Sequence, residues 1–183
     1  SPYPAQCRTG EIIGPMGNEN ADAGPVLAGE SFLEWSRGEY LITTDPARVD
    51  LDAVHDYLSR ESYWARNIPR ETVERSVKHS LCFSILKQGE QAGFARVTSD
   101  RATVAYLGDV FVLPAHRGQG LSTWLVECII AHPELQGLRR WLLATSDAHG
   151  LYAKAGFTPI KAPERWMERH FPDVYSVVAA PAQ

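Results

Sequence analysis

Residues 109–125 impose the strongest constraint on the fold of this chain. They read Asp-Val-Phe-Val-Leu-Pro-Ala-His-Arg-Gly-Gln-Gly-Leu-Ser-Thr-Trp-Leu. The first part is apolar and rich in β-branched and aromatic residues, which is typical of a strand buried on both faces. Pro114 ends it, because proline cannot donate to a sheet. From Leu121 the apolar residues recur with the spacing of a helix that has one buried face. The stretch predicts a strand, a glycine loop and a helix.

The loop between this strand and this helix is suited to binding an anion. Gly118 and Gly120 leave backbone N–H groups that a ligand can approach closely. The helix that follows directs its free N–H groups and the positive end of its dipole to the same place. Arg117 adds positive charge. The sequence therefore predicts a phosphate or pyrophosphate site here.

Composition limits the class of protein. The chain has 183 residues, 44% of them hydrophobic and 22% charged, which favours one globular domain. The net charge of −4 argues against a nucleic-acid partner, and no apolar run approaches the ~20 residues that span a membrane. The three cysteines, at positions 7, 82 and 128, form no CxxC pattern. We therefore expect a reduced, cytoplasmic protein without a metal.

The pattern of elements predicts an α/β fold on a mixed sheet. Residues 1–38 are rich in proline and glycine, and we expect a loosely structured extension with a short helix near 31–35. Residues 39–183 are expected to form a single domain. Predicted strands cover 39–44, 81–86, 91–98, 102–113, 138–144, 157–160 and 165–168, and predicted helices begin at 51 and cover 70–80, 121–131 and 148–155. The order is β-α-α-β-β-β-α-β-α-β-β, with the antiparallel strands first.

Two common phosphate motifs do not fit the loop. A nucleotide P-loop requires GxxxxGK followed by Ser or Thr, and no such run occurs. A dinucleotide fingerprint requires a third glycine and an acidic residue ~20 positions further on. The third glycine is missing, and Arg139 and Arg140 stand where the acid is needed.

The run from Arg117 to Ser122 resembles the acetyl-CoA loop of the GNAT N-acetyltransferase superfamily, except that Ser122 replaces a final Gly or Ala. Residues 151–157, Leu-Tyr-Ala-Lys-Ala-Gly-Phe, resemble the LYxxxGF signature of that superfamily. The resemblance covers roughly residues 40–169 and implies a GNAT-like acyl-CoA acyltransferase fold. Residues 144–152 look like an uncharacterised bacterial branch, although many members have Asn where Thr145 stands.

The resemblance implies acetyl-CoA as the co-substrate. The loop amides would hold the pyrophosphate, and the strand before the loop would pair with the pantetheine arm. The N–H of Val110 would donate to the developing oxyanion. The implied acetyl-CoA contacts are Val110, Phe111, Val112, Arg117, Gly118, Gln119, Gly120, Leu121, Ser122 and Tyr152.

Two residues are predicted to be catalytic. By its place in the LYxxxGF run, Tyr152 is the phenol (pKa ~10) that protonates the leaving thiolate (pKa ~8.5). Asp109 is a charge in an otherwise apolar strand, so it is a candidate base. The alternative is an Asp at a strand end that bonds to nearby backbone. Glu61 and His149 are weaker candidates.

The acceptor pocket is expected across the splayed strands, lined by Tyr63, Trp64, Phe94, Arg96 and Trp166. Arg96 would be able to pair with a substrate carboxylate. We interpret the chain as an enzyme that acetylates the primary amine of a small molecule by direct attack in a ternary complex. The sequence leaves open a non-catalytic acyl-CoA-binding sensor and a protein N-terminal or lysine acetyltransferase. A homodimer is also consistent with the resemblance, because many members of the superfamily are dimers.

Overall fold

The computed structural model of the protein describes residues 32–176. One sheet contains six strands in sequential order, antiparallel from β1 to β5 and parallel between β5 and β6. The strands are β1 (Glu34–Arg37), β2 (Tyr40–Thr43), β3 (Leu81–Lys87), β4 (Glu90–Ser99), β5 (Val104–Val112) and β6 (Arg140–Leu142). The helices are α1 (Leu51–Asp56), α2 (Arg70–Lys78), α3 (Leu121–Ile130) and α4 (His149–Lys154).

The local sequence explains where three of these helices begin. Asp50 caps α1, and its carboxylate accepts hydrogen bonds from the backbone N–H groups of Asp52 and Ala53, both at 3.0 Å. A π-helical turn, Tyr57–Glu61, extends α1. α2 follows Pro69, and α3 begins after Gly120, whose φ of 71° only glycine adopts easily.

Two hydrophobic clusters bury the two faces of the sheet. The larger cluster joins α3, through residues such as Leu125 and Ile129, to the inward side chains of β1–β5. The smaller cluster joins α1 and α2 to Phe94 of β4 and Phe111 of β5. Because strand side chains alternate between faces, Phe111 and Val112 of β5 are buried on opposite faces, as the sequence predicted for this stretch. Nearer the start of β5, Val104 and Tyr106 are exposed.

The fold class predicted from the sequence is confirmed, but the ends of the chain differ from the prediction. Glu34–Arg37 is a strand, although it lies within the segment expected to be an extension with a short helix. It is only four residues long and buries one large side chain, Trp35, so its alternation is too brief to detect. Residues 1–31 and 177–183, which include the rest of that extension, lie outside the described residues.

The two predicted C-terminal strands are also absent from the described chain. Residues 157–160 are irregular, and a 3₁₀ turn, Pro163–Arg165, precedes the region expected to form the last strand. The Phe157 ring packs at 6.0 Å from the ring of Tyr152 instead of continuing a strand. Ala162 has a φ of 60°, and Pro163 cannot donate to a sheet.

A bulge in β5 and an early end to β6 together open the sheet. Between the pairs Phe94–Phe111 and Arg96–Gly108, β5 contains one more residue than β4. β6 pairs with β5 only from Val104 to Tyr106, while β5 continues to Val112. The two parallel strands therefore separate beyond Tyr106. Within residues 32–176, no helix has the length and apolar character needed to cross a membrane.

Replacing Gly93 by Ala should destabilise the protein. An added Cβ would lie 2.8 Å from the carbonyl oxygen of Phe111 and 2.9 Å from Cδ1 of Ile85, so β4 and β5 would have to separate beside the bulge. We expect Gly93→Ala to lower the free energy of unfolding by about 1–3 kcal/mol in urea denaturation. Gly150→Ala is the matched control, because its Cβ meets nothing within 4 Å in α4. Equal effects of the two changes would contradict this close approach.

His132 should make stability depend on pH. Its ring is 5% exposed, lies 5.6 Å from the ring of Phe83, and accepts a hydrogen bond from the N–H of Glu134. Burial lowers its pKa below the ordinary 6.5. The negative charge of Glu134 opposes this shift, and the positive charge of Arg101 adds to it. The unfolded chain therefore binds this proton first, and stability falls as the pH drops below ~6.5 until the folded ring is protonated too.

We expect the free energy of unfolding to fall less between pH 7.5 and 5.5 in His132→Asn than in the parent chain. Asn can still accept the hydrogen bond from Glu134 but does not titrate. Urea denaturation at three pH values measures both slopes. Identical slopes would show that His132 is not responsible for the loss.

Candidate functional site

The glycine loop presents an open surface at the start of α3. Gly118 and Gly120 have φ values of 76° and 71°. A Cβ on Gly118 would meet nothing within 4 Å, and one on Gly120 would meet only the guanidinium of Arg37, at 3.8 Å. Ser122 lies in the first turn of α3, while the side chain of Leu121 is buried in the core. A ligand can therefore come close to the backbone at Gly118 and Gly120, and the pyrophosphate site at residues 118–122 stays a prediction.

The β1–β2 hairpin supports this loop. The Arg37 guanidinium donates to the backbone carbonyl of Gln119 at 3.1 Å and stacks 4.6 Å from the ring of Trp124. The hydroxyl of Tyr40 lies 3.0 Å from Nδ1 of His116 and accepts from the Gln119 amide at 3.0 Å. Sequence analysis missed Arg37 and Tyr40, because they lie 76 to 82 positions from their partners in the chain.

The side chain of Arg117 fastens the loop to the end of β5. Its Nε donates to the carbonyl oxygen of Val112 at 3.0 Å, and its Nη2 donates to the hydroxyl of Tyr57 at 3.3 Å. The Tyr57 ring in turn stacks on Phe111 at 3.9 Å. The charge of Arg117 therefore lies beside the loop, and two of its three guanidinium nitrogens donate to the protein.

The separation of β5 and β6 opens a cavity of about 540 Å³. Residues 107–110 of β5 form one side, and residues 144–148, which connect β6 to α4, form another. Five aromatic side chains line it: Tyr63, Trp64, Tyr106, Tyr152 and Tyr175. Three charged side chains line it as well: Arg96, Asp109 and Asp147.

Asp109 lies at the bulge with its side chain held by two donors. Its φ is 52°, a conformation that aspartate tolerates better than most residues. The carboxylate forms a close ion pair with Nε of Arg96 and accepts from the indole N–H of Trp64 at 3.0 Å. The Asp109 side chain is 10% exposed and that of Arg96 is 24% exposed. Asp109 therefore bonds to side chains, and Arg96 is already paired with a carboxylate.

Val110 and Tyr152 face the same cavity. In the described sheet, Val110 lies opposite no residue of β4 and beyond the last residue pair with β6, so the strand register gives it no partner residue at the opening. Tyr152 is 8% exposed. Burial raises the pKa of its phenol to about 12, with a further contribution from the negative charge of Asp147. The phenol therefore keeps its proton at every pH where the protein would be used.

Two residues predicted to line the acceptor pocket do not reach it. Phe94 is fully buried and packs 6.1 Å from the ring of Phe111, deeper on the same face as Arg96. Trp166 stacks on Arg140, 4.6 Å from its guanidinium, in a separate groove. Glu61 and His149 do not line the cavity either. Tyr106 and Tyr175 do line it and were missed, because nothing in their local sequence marks them.

The comparisons with known proteins agree with this geometry. Residues 51–157, more than half of the chain, match the model of the acetyltransferase (GNAT) family. The chain is 33% identical over 142 residues to a candidate acetyltransferase of Gibberella zeae, covering 66% of this chain and 79% of the relative. The chain therefore belongs to the GNAT acetyltransferase family, and it is an acyltransferase.

Two solved structures are also similar to this chain. A GNAT-family protein of Xanthomonas campestris pv. campestris is 52% identical, with a TM-score of 0.75 over 77% of this chain and 99% of that one. A candidate acetyltransferase of Clostridium acetobutylicum, solved with acetyl-CoA, shares the fold at 15% identity, with a TM-score of 0.56 over 72% of this chain and 94% of that one.

Arg37→Met should weaken the affinity for CoA. The change removes the hydrogen bond to Gln119 and the stacking on Trp124, so the loop loses a support and a nearby charge. A hydrogen bond from a charged donor contributes about 1.5–3 kcal/mol, which predicts a rise in Kd of about tenfold or more by calorimetry.

Arg48→Met provides the control for Arg37→Met. It removes the same kind of charged side chain, but Arg48 forms its ion pair with Glu34, at 2.7 Å, and not with the loop. Its Kd for CoA should change less than threefold. Equal weakening by both substitutions would show that only the overall charge matters.

Proposed function

We propose that the protein transfers the acetyl group of acetyl-CoA to the primary amine of a small molecule, by direct attack in a ternary complex. The observation that carries this proposal is the cavity where β5 separates from β6. Val110, which has no partner residue in the strand register, and the neutral phenol of Tyr152 both line it. An acyl transfer needs an oxyanion donor and a proton donor for the leaving thiolate at one place.

The residues present fit acetyl-CoA as the co-substrate. The loop amides of residues 118–122 and the N-terminus of α3 suit the pyrophosphate. Val110, Phe111 and Val112 provide the strand beside which the pantetheine amides would lie. The carbonyl of Val112 is already bonded to Arg117, so we assign the pairing to the backbone of Val110 and to the N–H of Val112. Acetyl-CoA bound to the distant Clostridium acetobutylicum protein lends support from the shared fold.

We assign one residue to each step of the proposed reaction. The N–H of Val110 stabilises the negative charge that develops on the thioester oxygen. The phenol of Tyr152 gives a proton or a hydrogen bond to the departing sulfur, which its raised pKa of about 12 permits throughout the neutral range. Asp109 is the acidic side chain beside Val110 in the same cavity, and we propose that it orients the amine and accepts its proton.

The size and walls of the cavity favour a small amine over a protein. Its volume of about 540 Å³ is in the range of small-molecule sites. Tyr63 and Trp64 cover one side, and Tyr175, near the C-terminal end of the described chain, covers another. A protein acceptor would require an open groove at this place. The homodimer and the cytoplasmic location remain predictions from resemblance and composition.

Release of free thiol from acetyl-CoA, measured with a panel of small primary amines and a lysine-containing peptide, tests this function. We expect release with at least one small amine and none above background with the peptide. Calorimetry with CoA shows independently that the cofactor site is intact. Tight CoA binding without release from any amine would overturn the proposal.

Tyr152→Phe should lower kcat by about 10²–10⁴-fold, because it removes the hydroxyl that protonates the thiolate. The phenyl ring keeps the contact with Phe157, so the Kd for CoA should change less than threefold. In the parent enzyme, the raised pKa of Tyr152 predicts no loss of kcat from phenol ionisation up to about pH 10. A decrease in kcat of less than tenfold in the variant would assign the proton donor elsewhere.

A further inference from the structure

We propose that the acceptor is a cationic amine carried on a flat aromatic body and lacking a carboxylate group. This inference rests on the proposed function, because it names the substrate class for the same cavity. Two properties of the cavity carry it: the character of its walls and the balance of its charges.

The walls offer aromatic faces that the protein does not cover. Tyr63, Trp64 and Tyr106 line the cavity while 56%, 41% and 43% exposed, respectively. Tyr63 meets Trp64 edge to face, with the ring centroids 5.0 Å apart, so the two rings form a corner. Uncovered aromatic side chains grouped in a cavity indicate a ligand that buries them. Aromatic faces attract a flat ring by stacking and a cation through the ring quadrupole.

The charges of the lining favour a cation and disfavour an acid. Arg96 is paired with Asp109, and its Nη1 also contacts the hydroxyls of Ser80 and Thr98 at 3.4 and 3.3 Å. Asp147 contributes a second carboxylate. The described lining therefore holds two negative charges and one positive charge, and no cation is left for a substrate carboxylate. This reverses the sequence-based expectation that Arg96 would bind an acidic substrate.

Two hydroxyl groups of the lining already accept hydrogen bonds from the protein backbone. The hydroxyl of Thr145 accepts a hydrogen bond from the backbone of Ala148 at 3.0 Å. The hydroxyl of Tyr63 accepts from the backbone N–H of Ser146 at 3.1 Å. These bonds hold the 144–148 connection in place beside the aromatic faces. A sugar hydroxyl placed against those faces would lose hydrogen bonds to water without replacing them.

Four amines that differ in one feature at a time test the inference. The probes are 2-phenylethylamine, L-phenylalanine, which adds a carboxylate, 2-cyclohexylethylamine, which removes the aromatic face, and glucosamine, which has a polar body. We expect kcat/KM for 2-phenylethylamine to exceed that for L-phenylalanine and glucosamine at least tenfold, and that for 2-cyclohexylethylamine about threefold. Calorimetry on the CoA-loaded protein should rank the binding of the four amines in the same way.

Two variants of Trp64 test whether its aromatic face is responsible. Trp64→Leu should lower kcat/KM for 2-phenylethylamine at least fivefold and abolish the preference over 2-cyclohexylethylamine. Trp64→Phe keeps a ring but loses the bond to Asp109, so it should retain the preference. Because Trp64 is 41% exposed, both variants should fold, which thermal melting verifies.

Different results would contradict the proposed acetyltransferase function and the proposed substrate class. Equal or better use of L-phenylalanine or glucosamine would overturn the substrate class while leaving the acetyltransferase function intact. The predicted binding order without thiol release would overturn the proposed function and uphold the substrate class. No binding of 2-phenylethylamine to the CoA-loaded protein would overturn the substrate class.

Discussion

One extra residue in β5 determines most of what the site can do. The bulge at Asp109 and Val110 interrupts pairing with β4, and β6 has already ended its pairing with β5 at Tyr106. A regular sheet would give Val110 a partner residue on β4. The bulge instead leaves Val110 without one and places both Asp109 and Val110 in the wall of a cavity. Bulges of this kind redirect side chains next to active sites.

The Arg96–Asp109 ion pair makes this arrangement compatible with a folded core. A carboxylate that is 10% exposed is costly to bury alone, and the guanidinium and the Trp64 indole offset that cost. The indole N–H also fixes Trp64 beside the cavity, so a bond that supports the bulge orients a wall of the pocket. On the other side of the bulge, Gly93 allows β4 to approach the carbonyl of Phe111 closely. Support of the bulge and the shape of the acceptor pocket therefore depend on the same contacts.

The sequence predicted the elements that carry strong local patterns. The strand, glycine loop and helix of 109–125 were found because apolar periodicity and glycine position are local properties, and the fold class and family followed from them. The predictions from sequence were wrong where contacts between distant residues decide whether a strand forms. β1 is too short to show alternation, and residues 157–160 look like a strand but turn so that Phe157 packs on Tyr152. Phe94 and Arg96 lie on the same face of β4, but the bulge lies between them, so Phe94 packs in the core and Arg96 lines the cavity. The support of the loop by Arg37 joins residues 82 positions apart, a distance at which no local pattern operates.

The glycine loop lies within the residues that match the family model, but the β1–β2 hairpin that supports it lies outside them. The glycine loop lies within residues 51–157, whereas Arg37 and Tyr40 lie before them. The loop amides alone would suit any pyrophosphate, since their N–H groups recognise charge and not the remainder of the ligand. The contacts from the β1–β2 hairpin hold Gln119 and His116 on one flank, while Arg117 fastens the other flank to Val112 and Tyr57. A loop held on both sides loses less conformational freedom when it binds, so these contacts favour affinity through preorganisation rather than through new bonds to the ligand. The same Arg117–Val112 bond ties the loop to the strand that bears Val110. The glycine loop is therefore tied to a residue two positions from Val110, and this connection would couple the proposed phosphate site to the proposed thioester site.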